Sequence, residues 1–105
     1  MPSSKPTQSW TEIRTLTEKF EWTDTRTGIR VTGMNPPQGA KDVKRKPFYI
    51  RYITGKGIVE EGVVTCIRVD PFRHMRRVRY EQSGEIRWVR DYLIIEIDGI
   101  RIVTH

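Results

Sequence analysis

Apolar and polar positions change their period along this chain, and the change divides it into regions. Near the amino terminus Trp10, Ile13, Leu16 and Phe20 recur at close to helical spacing, and Ser9 with Glu12 matches a capping box. That predicts a short amphipathic helix over about 10–20. Thr11, Thr15 and Thr17 argue instead for a strand, because β-branched residues weaken helices. Phe20 with Trp22, then Ile29 with Val31, predict two strands around a turn at 25–28. Residues 33–46 (GMNPPQGAKDVKRK) break the pattern with a Pro-Pro pair, two glycines and a basic run. They predict a long loop, read either as a mobile arm able to touch a polyanion or as plain disorder.

From Phe48 onwards the period is two. Phe48, Ile50 and Tyr52 alternate with Tyr49, Arg51 and Ile53, and Gly55-Lys56-Gly57 marks a turn. Residues 58–69 form a second long β-prone stretch, with Gly62 read as a bend or bulge and Asp70-Pro71 as its end. Residues 75–81, 85–89, 93–97 and 100–104 supply four more strands. Short strands with frequent turn signals predict a small all-β barrel or sandwich. An N-terminal extension and basic loop would occupy 1–46, and the β domain 47–105.

Two hairpins carry a register. Asp98-Gly99 suits a two-residue type I′ turn that pairs Ile97 with Ile100, Ile95 with Ile102 and Leu93 with Thr104. The other face then holds Glu96 opposite Arg101 and Ile94 opposite Val103. Around Gln82-Ser83-Gly84, a three-residue loop with Gly84 left-handed pairs Tyr80 with Ile86 and Val78 with Trp88, making one apolar face. It places Arg79 across from Arg87 on the outer face, with Arg77 beside them. Like charges directly opposite destabilise a sheet, so an anion between them is one reading. Neutralisation by Glu81 and Glu85 on the same face is the other.

Charge sharpens this picture. Of 105 residues, 19 are Lys or Arg and 13 Asp or Glu, a formal net of +6. Residues 43–79 carry ten bases against three acids, so the whole basic excess lies in the middle third. Arginine outnumbers lysine 13 to 6, and its planar fork suits bidentate contact with phosphate or carboxylate. Lys44, Arg45 and Lys46 on the arm, with Arg73, Arg76, Arg77, Arg79 and Arg87, are the candidate binding residues for DNA or RNA. Tyr49 and Phe72 are candidates for stacking on bases.

The single cysteine, Cys66, excludes an internal disulfide, and two histidines leave too few ligands for a Cys/His zinc site. No run approaches the length of a membrane span, and residues 1–10 do not resemble a signal peptide, which predicts a cytoplasmic protein. Cys66, Asp70 and His74, four apart, do not converge on a strand ended by Pro71, so Cys66 is expected to be a small buried hydrophobe. Thr54-Gly55-Lys56-Gly57 is too short for a phosphate-binding loop. The expectation is a non-catalytic protein without cofactor or metal.

Gly62-Val63-Val64, then Val78-Arg79-Tyr80, Gly84-Glu85 and Trp88-Val89 with Leu93 resemble the Tudor and chromo-barrel branch of SH3-like barrels, over about residues 48–98. In that pattern Arg90-Asp91-Tyr92 would be the one-turn 3₁₀ segment before the last strand. The resemblance implies a small SH3-like β-barrel that binds nucleic acid or peptides, here with an added C-terminal hairpin strand and the N-terminal extension. It also raises an aromatic cage for methylated lysine or arginine, built from Tyr52, Tyr80, Trp88 and Tyr92. The register above turns Tyr80 and Trp88 into the core and argues against a cage. The leading expectation is phosphate contact through a basic face. The alternative is an assembly module, in a phage or mobile-element setting, that docks on an acidic protein partner or on itself.

Overall fold

The structure, a computed structural model, describes residues 10–102. Ser9, Val103 and Thr104, which the capping box and the last strand pairs invoke, lie outside them. The described residues open with helix α1 (Trp10–Thr17). Ile13 is fully buried, and the Thr17 hydroxyl donates to the Ile13 carbonyl at 2.9 Å. Here the burial of one face outweighs the weak propensity of the threonines, as is usual for short helices.

A three-stranded antiparallel sheet follows, in the order β2-β1-β3: β1 (Phe20–Thr23), β2 (Arg30–Gly33) and β3 (Lys41–Arg45). The turn between β1 and β2 falls where the sequence places it. Asp24 Oδ1 accepts the Arg26 amide at 2.8 Å, and Gly28 takes a positive φ of 72°. The third strand corrects the expectation of a mobile arm or disorder. Lys44 pairs with Glu21 and Arg45 with Phe20 across the sheet, and the Lys46 amide donates to the Lys19 carbonyl at 2.8 Å. Arg45 lies over the Phe20 ring at 4.3 Å and donates to the Glu18 carbonyl at 2.9 Å. The backbone groups on the open side of β1 need partners, and this basic segment supplies them.

The second sheet has six antiparallel strands in the order β7-β6-β5-β4-β8-β9. These are β4 (Phe48–Ile53), β5 (Val59–Asp70), β6 (Met75–Tyr80), β7 (Ile86–Arg90), β8 (Ile94–Ile97) and β9 (Ile100–Arg101), with a 3₁₀ turn (Asp91–Leu93) before β8. The protein is thus mainly β, with the C-terminal hairpin strand in its expected place and the 3₁₀ turn one residue later than the expected 90–92. The sheet is not closed into a barrel: among the described residues β7 and β9 remain its edges.

Its inner face forms the core. Phe48, Ile50 and Tyr52 pack with Val64, Cys66, Val78, Val89, Ile94, Ile97 and Ile102, and Ile13 of α1 lies in the same cluster. The helix within residues 1–46 therefore shares its core with the strands after Pro47. Gly62 is not a bulge, since β4 and β5 pair in unbroken register past it. A Cβ there would lie 2.7 Å from Cε2 of Tyr80, so the glycine makes room for that ring. The irregularities lie elsewhere, in β5 at Ile67 and in β8 at Ile95. The second turns Ile94 into the core, against its expected place on the outer face with Glu96. The Asp98-Gly99 turn has positive φ at both residues (49° and 82°) and pairs Ile97 with Ile100 and Glu96 with Arg101, as its chemistry requires.

Candidate nucleic-acid interface

The site is set by the pairing of β6 with β7. Tyr80 donates its amide to the Glu85 carbonyl, and the Gly84 amide returns to the Tyr80 carbonyl, both at 2.8 Å. The loop therefore spans residues 81–84, one residue longer than the sequence suggested. Ser83 Oγ accepts the Glu85 amide at 3.2 Å, and Gly84 sits at φ 77°. A shift of one residue exchanges the two faces of a strand. Val78 consequently pairs with Arg87, Arg79 with Ile86, and Arg77 with Trp88. The expected pairs Tyr80–Ile86, Val78–Trp88 and Arg79–Arg87 are all corrected. Trp88 lies on the outer face rather than in the core, and Val89 takes the buried position.

The bulge at Ile67 does the same work on the other side of β6. It keeps Cys66 inward beside Val78 and brings Arg68 outward, directly opposite Arg77. One row across the three strands thus reads Arg68, Arg77, Trp88, and the next reads Thr65, Arg79, Ile86. The Arg77 guanidinium carbon is 6.0 Å from the centroid of the Trp88 ring, and Trp88 is 45% exposed. Among the described residues none of Arg68, Arg77 and Arg79 has an ion-pair partner. Arg77 Nε is buried and has no hydrogen-bond partner among the described residues. The neighbouring acids are occupied: Glu81 accepts the Thr65 hydroxyl at 2.5 Å, and Asp70 accepts the Arg73 amide at 3.2 Å.

Of the residues singled out from sequence, Arg77 and Arg79 are brought together on this face. Arg76 is not on the surface. Its Nε donates to Asp91 Oδ1 at 3.0 Å, and Nη1 bonds Glu18, with the Arg76 and Asp91 side chains 5% and 3% exposed. Burial acts against the Arg76 charge, but Glu18 and Asp91 together hold its pKa above the ordinary value. For Asp91, burial outweighs the attraction of Arg76 and pushes the carboxyl up. Arg87 faces the other way from Arg79 and donates to Glu85 Oε2 at 2.8 Å, a contact that raises its pKa. Arg73 stands in the β5–β6 turn next to Phe72, which is 95% exposed. Lys44, Arg45 and Lys46 belong to β3 and its end, with Lys44 4.0 Å from Glu21.

Sequence reasoning missed Arg68, Ile86 and Trp88 as members of this face. A signal existed for the first. Val64, Cys66 and Val69 can all point inward only if the alternation skips once between 66 and 69, and that skip turns Arg68 outward.

Cys66 is fully buried and burial pushes its thiol up, which keeps it protonated. Among the described residues no three His, Cys, Asp or Glu side chains group so as to hold a metal ion, and no helix is long and apolar enough to cross a membrane. Comparison of the chain with protein-family models, with curated proteins and with solved structures returned no match.

Proposed function

We propose that the protein binds nucleic acid, holding backbone phosphates on the outer face of β5, β6 and β7 through Arg68, Arg77 and Arg79. The observation that carries this reading is the row in which Arg68 and Arg77 stand directly opposite each other with no carboxylate partner for either among the described residues. Like charges so placed cost a few tenths to about 1 kcal/mol in a sheet, and an anion between them reverses the sign of that interaction. The guanidinium fork matches phosphate oxygens bidentately. Phosphate contacts fix position without reading sequence, so affinity with little sequence preference follows. The role is one of binding, not catalysis.

The test is the affinity of a labelled oligonucleotide at about 50 mM salt. The Arg77→Ala/Arg79→Ala protein should bind at least about tenfold more weakly, since each charged hydrogen bond contributes on the order of 1.5–3 kcal/mol. The Lys41→Ala protein, altered on β3, should bind nearly as the parent does. Unchanged affinity in the arginine variant removes the assignment and turns attention to an acidic protein partner for the same face.

A further inference from the structure

We infer that the cleft between Trp88 and the turn at 54–58 is a pocket for one unpaired base, so that the ligand of the arginine face is a single strand rather than a duplex. The inference rests on the phosphate-binding reading of that face and specifies what it binds.

Trp88 belongs to two surfaces. On one side its ring has Arg77 at 6.0 Å, in the phosphate row. It also lines, together with Ile58, a cleft of about 510 Å³. Both side chains are strongly exposed, Trp88 at 45% and Ile58 at 57%. Single exposed hydrophobes are ordinary on protein surfaces. Two that line the same cleft, one of them with Arg77 6.0 Å from its ring, make an apolar slot that adjoins the phosphate row through Trp88. The chemistry that fits is a planar, uncharged ring joined to a phosphate. Polar groups in the lining suit the edge of such a ring: Lys56 and Arg87 bring donors, and Glu60 brings an acceptor. Glu60 is held in place by the Tyr52 hydroxyl, which donates to Oε1 at 3.0 Å.

The wall carrying Ile58 is fixed in advance. Thr54 Oγ1 accepts the amides of Lys56 and Ile58 at 3.3 and 3.1 Å, and the Thr54 amide donates to the Ile58 carbonyl at 2.8 Å. Binding therefore spends little on ordering this turn. A base in a duplex has both faces covered by its neighbours and cannot lie against Trp88. A base in a single strand presents a free face, and stacking on an aromatic ring tolerates any of the four.

The experiment measures anisotropy of labelled dT-tract DNA, rU-tract RNA and a duplex of equal length with the full chain, at about 50 mM salt. Either single strand should bind about tenfold tighter than the duplex, and the DNA and RNA arms identify which sugar is preferred. Trp88→Ala should lose about tenfold on the single strand and little on the duplex, while Trp88→Phe retains most of the affinity. Ile58→Asp alters the cleft lining at an exposed turn and should reproduce the loss without touching the β7 strand. Duplex binding as tight as single-strand binding overturns the pocket, as does parental affinity in both Trp88→Ala and Ile58→Asp. If those two variants bind normally while Arg77→Ala/Arg79→Ala does not, the pocket fails and the phosphate face stands. Absence of all nucleic-acid binding overturns both.

Discussion

Arg76 lies between Glu18, just past α1, and Asp91, at the start of the 3₁₀ turn, and ties both to the beginning of β6. A charge taken this far out of water is tolerable only while its partners stay, and removing one partner leaves the others buried and uncompensated. Arg76→Ala should therefore cost about 3–5 kcal/mol of unfolding free energy, measured by urea denaturation, far more than the loss of a surface arginine. A cost below about 1 kcal/mol would mean that the pair is solvated and the helix is held by Ile13 alone. In the sequence Arg76 cannot be told from Arg77. Both are arginines in one run, and only the phase of β6 against its neighbours sends the first inward and the second outward.

The same phase governs the elements. The Asp98-Gly99 hairpin was legible because two residues with positive φ leave one turn type and hence one register. The β6–β7 hairpin was not, because Gln82-Ser83-Gly84 with Glu81 fits loops of different length, and a three-residue loop sets the apolar Trp88 against Val78. The inner position opposite Val78 went instead to Arg87, which reaches Glu85 at the rim. The strand β3 left no apolar trace, since its only hydrophobe, Val43, is exposed and its basic side chains are matched laterally by Glu21 and Phe20. A double-mutant cycle checks the register of β7. Arg77→Ala and Trp88→Ala should couple by about 0.5–1 kcal/mol in stability, the size of an exposed cation–π contact. Additive effects from this pair would contradict the observed pairing.

Over the whole molecule, folding redistributes a basic excess that composition could only count. Of the bases in residues 43–79, Arg45 and Arg76 are drawn into contacts with Glu18, while Arg51 and Arg73 meet Glu61 and Asp70. Arg68, Arg77 and Arg79 are left together, on the sheet face that also carries Trp88. The charge total pointed to a polyanion, and the registers of β5, β6 and β7 say where it would lie. Salt titration of nucleic-acid binding decides whether it does, with the parent protein compared to the Arg68→Ala/Arg77→Ala/Arg79→Ala variant. Each phosphate contact contributes roughly 0.7–0.9 to the slope of log affinity against log salt, so the variant should be flatter by about 2 to 3 units and weaker at low salt. Equal slopes and equal affinities in the two proteins would contradict the account.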